Sequence, residues 1–180
     1  MLINATDSCV LIVDIQDRLL PAVGEPDAVV ANAAILLKAA AALGVPVLAS
    51  EQYPKGIGHT VAPIGALLPP GSVVEKVHFS CMADPAFAGR FAALGRRQAI
   101  VAGLEAHVCV LQTAEGLLAA GSDVFVVADA VSSRTPANHA MALRRLEGAG
   151  ARIVTTEMVV FEWLGQAATP AFRELSRLIK

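Results

Sequence analysis

Aromatic residues are scarce, at 4% of 180 residues, so the chain lacks the stacking platforms that hold single-stranded nucleic acids. Positive charge is not in excess either. Fourteen Lys+Arg stand against sixteen Asp+Glu, a net charge of −2, whereas nucleic-acid binders carry a basic surplus, so no nucleic-acid partner is expected. Cysteine is sparse and odd in number: Cys9, Cys81 and Cys109 form no CxxC pair. That excludes a disulfide framework and makes a reducing cytoplasm the expected location. The N-terminus MLINATDSC has no basic stretch and no apolar run before a small-residue cleavage site, so no export signal is legible. The Asn4-Ala5-Thr6 sequon is then fortuitous.

What is present is apolar. Hydrophobic residues make up 55% and charged residues 17%, with a mean hydropathy of +0.58, which excludes disorder and a coiled coil. The length suits one domain over 1–180, large enough to bury about 70% of its unfolded surface without a metal or disulfide staple. One stretch, Ala28 to Ala49, is long enough to suggest a membrane span. Asn32 and Lys38 interrupt it, and Gly44 and Pro46 break it. A buried helix followed by a buried strand accounts for the same residues, and no membrane partner is expected.

Short β-branched runs alternate with stretches of helical period. Cys9–Ile15, Val45–Ser50, Val73–Lys76, Gln98–Gly103, Asp123–Ala128 and Arg152–Thr155 read as strands. Val29, Ala33, Leu36, Ala40 and Leu43 mark one helix face, and Phe87–Leu94 and His107–Ala120 are further helices. Thr135-Pro136 is an N-cap and N1 pair opening another. Strands that are apolar throughout are buried on both faces. The pattern predicts an α/β fold: a doubly wound, mostly parallel sheet of five to six strands with helices on both faces, a three-layer sandwich. Gln52–Ser72, rich in Gly and Pro, reads as a long loop.

Familiar motifs are missing. Gly56-Ile57-Gly58 follows Tyr53-Pro54 rather than a strand and lacks a third glycine, so it is no dinucleotide fingerprint. There is no P-loop, GxSxG or HExxH, and His59, His78, His107 and His139 have no ligand spacing. In an open α/β sheet, ligands bind beyond the carboxyl ends of the strands. The reactive side chains there are Asp14, Lys76, Cys109 and Asp129. Cys109 follows a strand-to-helix turn, where free backbone N–H groups and the helix dipole favour a thiolate and an oxyanion. The bland alternative is a small buried hydrophobe. Asp14 interrupts VLIVDI and needs a cationic partner if buried, for which Lys76 is the candidate. His107 invites a papain-like pairing with Cys109, but its place on the same turn favours a surface or capping role. Cys9 reads as core, and Cys81 stays unassigned.

With these residues assembled, the sequence resembles the isochorismatase-like cysteine hydrolase superfamily, and its isochorismatase domain-containing subgroup in particular. The carriers are VLIVDIQDRLLP, KVHFS, GLEAHVCV and VFVVADAVSSR, with SEQYPKGIG and TTEMVVFEWLG beside them. The resemblance implies a catalytic triad of Asp14, Lys76 and Cys109, and a cis peptide at Leu104–Glu105 aiming the Glu105 and Cys109 N–H groups into an oxyanion hole. Family nicotinamidases carry a metal-binding Asp-x-His after strand two; here that region reads Ser50-Glu51-Gln52-Tyr53, which implies no metal and no cofactor. True isochorismatases lack the nucleophilic cysteine, so Cys109 speaks against vinyl-ether hydrolysis.

The expected function is metal-independent hydrolysis of a small amide or related carbonyl compound through a Cys109 thioester. Lys76 is expected to depress the thiol pKa, and Gln16, Leu19 and Phe79 are expected to line the substrate pocket. The rivals are a non-catalytic binding protein on the same fold and a thiol redox protein. The apolar residues Met158, Val159, Val160, Phe161, Trp163 and Leu164, followed by an apolar stripe at Phe172, Leu175, Leu178 and Ile179, point to a homo-oligomer whose interface includes part of Glu157–Leu164.

Overall fold

The computed structural model describes residues 1–179. Six parallel strands form one sheet: β1 Ser8–Val13, β2 Val47–Gln52, β3 Val73–Lys76, β4 Gln98–Leu104, β5 Asp123–Ser132 and β6 Arg152–Val154. Their order is β3-β2-β1-β4-β5-β6. β1, β2 and β4 are buried along their whole length, because each lies inside the sheet with an apolar layer on both faces. The order reverses between β1 and β4, the place where doubly wound sheets open a crevice at their carboxyl edge.

The helices are α1 Pro26–Leu43, α2 Pro85–Ala93, α3 Leu111–Ala119, α4 Pro136–Ala149, α5 Thr156–Leu164 and α6 Pro170–Leu175. Alternation along the strands divides the core. Val10, Ile12, Ile100, Leu104 and Phe125 pack with α1 and α5 on one face. Cys9, Leu11, Val13, Val101 and Val126 pack with α2, α3 and α4 on the other. α1 is long and apolar enough to cross a membrane. Here it lies on the sheet, burying Val29, Ala33, Leu36 and Ala40 and ending at the left-handed Gly44.

Two elements run differently from the sequence pattern. β5 continues past Ala128 to Ser132 because its ladder with β4 is interrupted after Val101 and resumes at Gly103↔Val131. Asp129 sits in that irregular stretch, and its carboxylate accepts from the Thr156 N–H and hydroxyl at the start of α5. Gln52–Ser72 is no plain loop. It begins with the last residue of β2, contains short helical turns at Pro54–Ile57 and Ala62–Gly65, and is laced to the segment after β1 through Asp17 N–H to His59 O and Val61 N–H to Ile15 O.

The C-terminal apolar cluster covers the sheet as well. Trp163 is buried, and its indole N–H donates to Ser8 Oγ at 3.1 Å; Leu175 is buried too. Met158 and Phe161 are left outside, 46% and 42% exposed.

Candidate active site

Four adjacent strands each contribute to one cluster. Asp14 stands one residue beyond β1, Lys76 ends β3, and Cys109 lies in the helical turn Ala106–Val110 that follows β4. Asp14 and Lys76 are separated by β2, or about 9.5 Å at ordinary strand spacing, and the long lysine arm bridges it. Lys76 Nζ reaches Asp14 Oδ2 at 2.8 Å, with neither side chain exposed. Charges removed from water this completely persist only when fully paired. Accordingly, Ser50 Oγ donates to Asp14 Oδ1 at 2.7 Å. Lys76 donates further to Gln52 Oε1 at 2.8 Å and to the carbonyls of His78 and Phe79 at 3.2 and 3.3 Å.

The close approach of β1 and β4 depends on glycine. Gly103 has φ +142°, and a Cβ there would sit 2.1 Å from the Val13 carbonyl oxygen. Two residues on, Glu105 adopts a left-handed conformation (φ 56°) and opens the Ala106–Val110 turn. The cis peptide implied at Leu104–Glu105 is absent; all peptide bonds among the described residues are trans. The positive φ values of Gly103 and Glu105 make the reversal instead. Arg134 binds the Glu105 carboxylate.

Cys109 is 2% exposed. Burial pushes its thiol well above the ordinary range; the nearby Asp14 carboxylate adds to this, as does Glu105, while Lys76 opposes them. The depressed pKa anticipated from the sequence is therefore corrected. Lys76 lies where it was anticipated, but burial and the carboxylate outweigh it, so the resting thiol is protonated beside a carboxylate able to accept its proton. Cys81, also buried, is raised above all by burial, with Lys76 opposing and Asp14 adding, which places a second thiol close to the same ion pair; its backbone N–H donates to Thr113 Oγ1 at 3.0 Å. Cys9 is core, and burial raises it to about 12.

The anticipated pocket residues do not converge. Gln16 is fully buried and is consumed by backbone: its amide donates to Gln52 O and Gly58 O and accepts from Gln52 N–H. Leu19 packs into the α1-side core, the opposite cluster from Cys109. Phe79 is 53% exposed and meets the cluster through its carbonyl alone. Asp129 is tied to α5 and stands apart. His107 Nδ1 pairs with Ser133 Oγ at 3.0 Å rather than with the thiol. Ser50 and Gln52 were not singled out by the sequence reading, although the polar run Ser-Glu-Gln inside a buried strand was a usable signal. Between them, Glu51 accepts from the Thr60 N–H and hydroxyl and pairs with His59. A cavity of about 340 Å³ borders Lys76 and is lined also by Tyr53, Lys55, Glu75 and Asp84. Another, of about 330 Å³ between α1, β5 and α4, includes none of the three central residues.

Fold and cluster together define a doubly wound α/β protein with a buried carboxylate, ammonium and thiol at its topological switch point. Residues 8–158 match the model of the isochorismatase domain family. The chain belongs to that family, whose fold is that of a hydrolase. It is 38% identical to isochorismatase domain-containing protein 1 of Salmo salar over 93% of its own length, and spans 59% of that relative. Among solved structures, the MAR1 ribonuclease of Caenorhabditis elegans superposes with a TM-score of 0.93 at 35% identity, covering 99% of this chain and 92% of that one. The YcaC gene product of Escherichia coli, described as an octameric hydrolase of unknown specificity, gives 0.93 at 27% identity, covering 99% and 90%.

Proposed function

We propose that this chain is a metal-independent cysteine hydrolase of a small amide or related carbonyl compound. The observation that carries the reading is the solvent-inaccessible Asp14–Lys76 ion pair at 2.8 Å, whose charges both act on the buried Cys109 thiol. A carboxylate in that position is a general base, and the fixed ammonium stabilises the thiolate as it forms. As substrate binds, Asp14 takes the thiol proton and sulfur attacks the carbonyl carbon. The Glu105 and Cys109 N–H groups, at the start of the helical segment, receive the oxyanion. Collapse of the intermediate expels the amine, which leaves with the proton held by Asp14. Water, losing a proton to Asp14, then hydrolyses the thioester and frees the acid and the thiol. The three unpaired cysteines support a cytoplasmic location, and the octameric relative supports a homo-oligomer.

A screen of small amides monitored by ammonia release, run with and without EDTA, tests the reading. Turnover that survives chelation, vanishes in Cys109→Ala and leaves an acyl adduct on Cys109 is the expected result. Turnover persisting in Cys109→Ala, or lost in EDTA and restored by zinc or manganese, overturns it. Ligand binding without turnover, unaffected by Cys109→Ser, would mark a binding protein. RNA cleavage by the pure protein would instead align it with its C. elegans relative.

A further inference from the structure

Lys76 has three ammonium protons and four acceptors. The two short contacts, each 2.8 Å, are Asp14 Oδ2 and Gln52 Oε1, while the carbonyls of His78 and Phe79 at 3.2 and 3.3 Å share the third proton. With the side chain fully enclosed, water cannot substitute for a lost acceptor. Gln52 therefore supplies one of the two strong restraints on the ammonium.

The Gln52 amide has only one workable orientation. Its Nε2 donates to Val77 O at 2.8 Å, so a flipped amide would set NH₂ against the ammonium and carbonyl against carbonyl. The backbone of Gln52 is gripped on both sides by a single residue: its N–H donates to Gln16 Oε1 at 2.7 Å, and its carbonyl accepts from Gln16 Nε2 at 3.0 Å. Gln16 lies two residues beyond Asp14, so this one side chain locks the β1 and β2 ends together. Both ends of the Gln52 amide are thus engaged by protein, Oε1 by Lys76 and Nε2 by Val77, as are its backbone N–H and carbonyl.

We infer that Gln52 is a positioning residue: Gln16 fixes Gln52, and Gln52 aims the Lys76 ammonium at the site shared by Asp14 and Cys109. The inference rests on the proposed roles of those three residues. The charged groups acting on the thiol are Asp14, Lys76 and Glu105, the last already bound by Arg134. Lys76 is the one cation opposing the other two and burial. An ammonium released by Gln52 turns more fully onto Asp14, and the thiol loses the cation's support.

The test needs no substrate. Iodoacetamide alkylation of Cys109 in the full-length protein is followed against pH by peptide mapping, in wild type, Lys76→Met, Gln52→Met and Gln16→Met. Gln52→Met should move the profile upward, toward that of Lys76→Met, and slow alkylation at a fixed pH below the midpoint about tenfold, equivalent to about one pK unit. Gln16→Met, which leaves the Lys76 contact intact, should shift it in the same direction by less. A residue that merely braces the fold would lower stability and leave the profile in place. If Gln52→Met and Gln16→Met fold with the wild-type profile while Lys76→Met is shifted, the inference falls and the proposed function stands. If Lys76→Met also keeps the wild-type profile, the proposed roles themselves fall. Should Gln52→Met not fold, Gln16→Met decides alone: a shifted profile supports the inference and an unshifted one overturns it.

Discussion

The Asp14–Lys76 pair joins the stability of the fold to the proposed chemistry, and a double-mutant cycle measures its coupling. Lys76→Met leaves the Asp14 carboxylate enclosed, with Ser50 Oγ as its remaining side-chain partner. Asp14→Asn leaves the ammonium on Gln52 and two long carbonyl contacts. Breaking a buried pair from one side costs about 3–5 kcal/mol, because the remaining charge is uncompensated. With a urea m-value of about 2 kcal/mol per M, each single change should lower the unfolding midpoint by about 2 M. The double variant buries no charge, and replacing a whole buried pair is often close to neutral. It should lie within about 2 kcal/mol of wild type, giving a coupling energy of at least about 4 kcal/mol. Urea unfolding followed by far-UV circular dichroism at neutral pH supplies all four corners. Additive losses, or single losses below about 1 kcal/mol as for an exposed pair, would refute the claim that these charges depend on each other away from water.

Gly103→Ala should force β1 and β4 apart, since the new Cβ falls 2.1 Å from one Val13 backbone atom and 2.7 Å from two others; a loss of at least about 3 kcal/mol, or about 6–12 °C in Tm for a chain this size, is expected, and a melt within about 2 °C of wild type would show that the strands can yield. Burial tends to raise the Glu51 carboxyl, yet the Thr60 N–H, His59 and the Thr60 hydroxyl more than offset it and hold it low, whereas the exposed His59 is raised by its hydrogen bond to Glu51 and by that group's charge. Glu51 therefore contributes stability above its ordinary 4.5 that is lost as pH falls through its lowered value. His59 contributes below 6.5, and its share is lost as pH rises through its raised value. An NMR titration should place the His59 midpoint above 6.5 in wild type and nearer 6.5 in Glu51→Gln; identical midpoints would count against the pair. Phe161→Glu should dissociate the proposed homo-oligomer in light scattering while keeping the subunit folded, whereas Trp163→Ala, at a buried and hydrogen-bonded site, should unfold it by about 3–5 kcal/mol. An assembly indifferent to Phe161→Glu places the interface elsewhere.

The last of these predictions departs from what the sequence suggested, and the reason is instructive. An apolar run signals burial without saying what covers it. Trp163 and Leu175 are used up by the sheet face, while Met158 and Phe161 of the same cluster stay exposed. Local signals were dependable where the physics is local: β3 runs Val73–Lys76 as read, and Thr135 caps α4 through the Asn138 N–H. They gave out where a distant strand decides. β5 reads as ending before Asp129 because a carboxylate rarely continues a buried strand, and nothing local announces that the ladder resumes at Gly103↔Val131. Asp14 and Lys76 were legible because an unpaired charge in an apolar strand demands a partner. Gln16 was misassigned for the complementary reason. A polar residue beyond a strand end looks free until Gln52, 36 residues away, is seen to hold it. The sign of the Cys109 shift was missed likewise, since helix position and a lysine are visible in sequence while burial beside a carboxylate is not.

Backbone strain marks the same edge. Five non-glycine residues among those described have positive φ, and three of them, Asp14 (53°), Tyr53 (37°) and Glu105 (56°), directly follow β1, β2 and β4. The other two, Glu25 and Ala168, lie in the approaches to α1 and α6. A left-handed L-residue costs about 1–2 kcal/mol, which glycine avoids, so a glycine at each strand end would be the relaxed solution if only the turn mattered. At Asp14 and Glu105 it would delete the carboxylate that meets Lys76 and Ser50 and the one that binds Arg134. At Tyr53 it would delete a ring so close to Gly56 that a Cβ there would fall 2.5 Å from it. The sheet can impose these conformations because β1, β2 and β4 are held on both sides by parallel neighbours and packed on both faces, so each chain leaves its strand in a direction the ladder has already fixed. Side chains that the local backbone disfavours are thus retained at the carboxyl edge, where the topology reverses and the thiol lies, which places the strain at the candidate site rather than in the interior of the sheet.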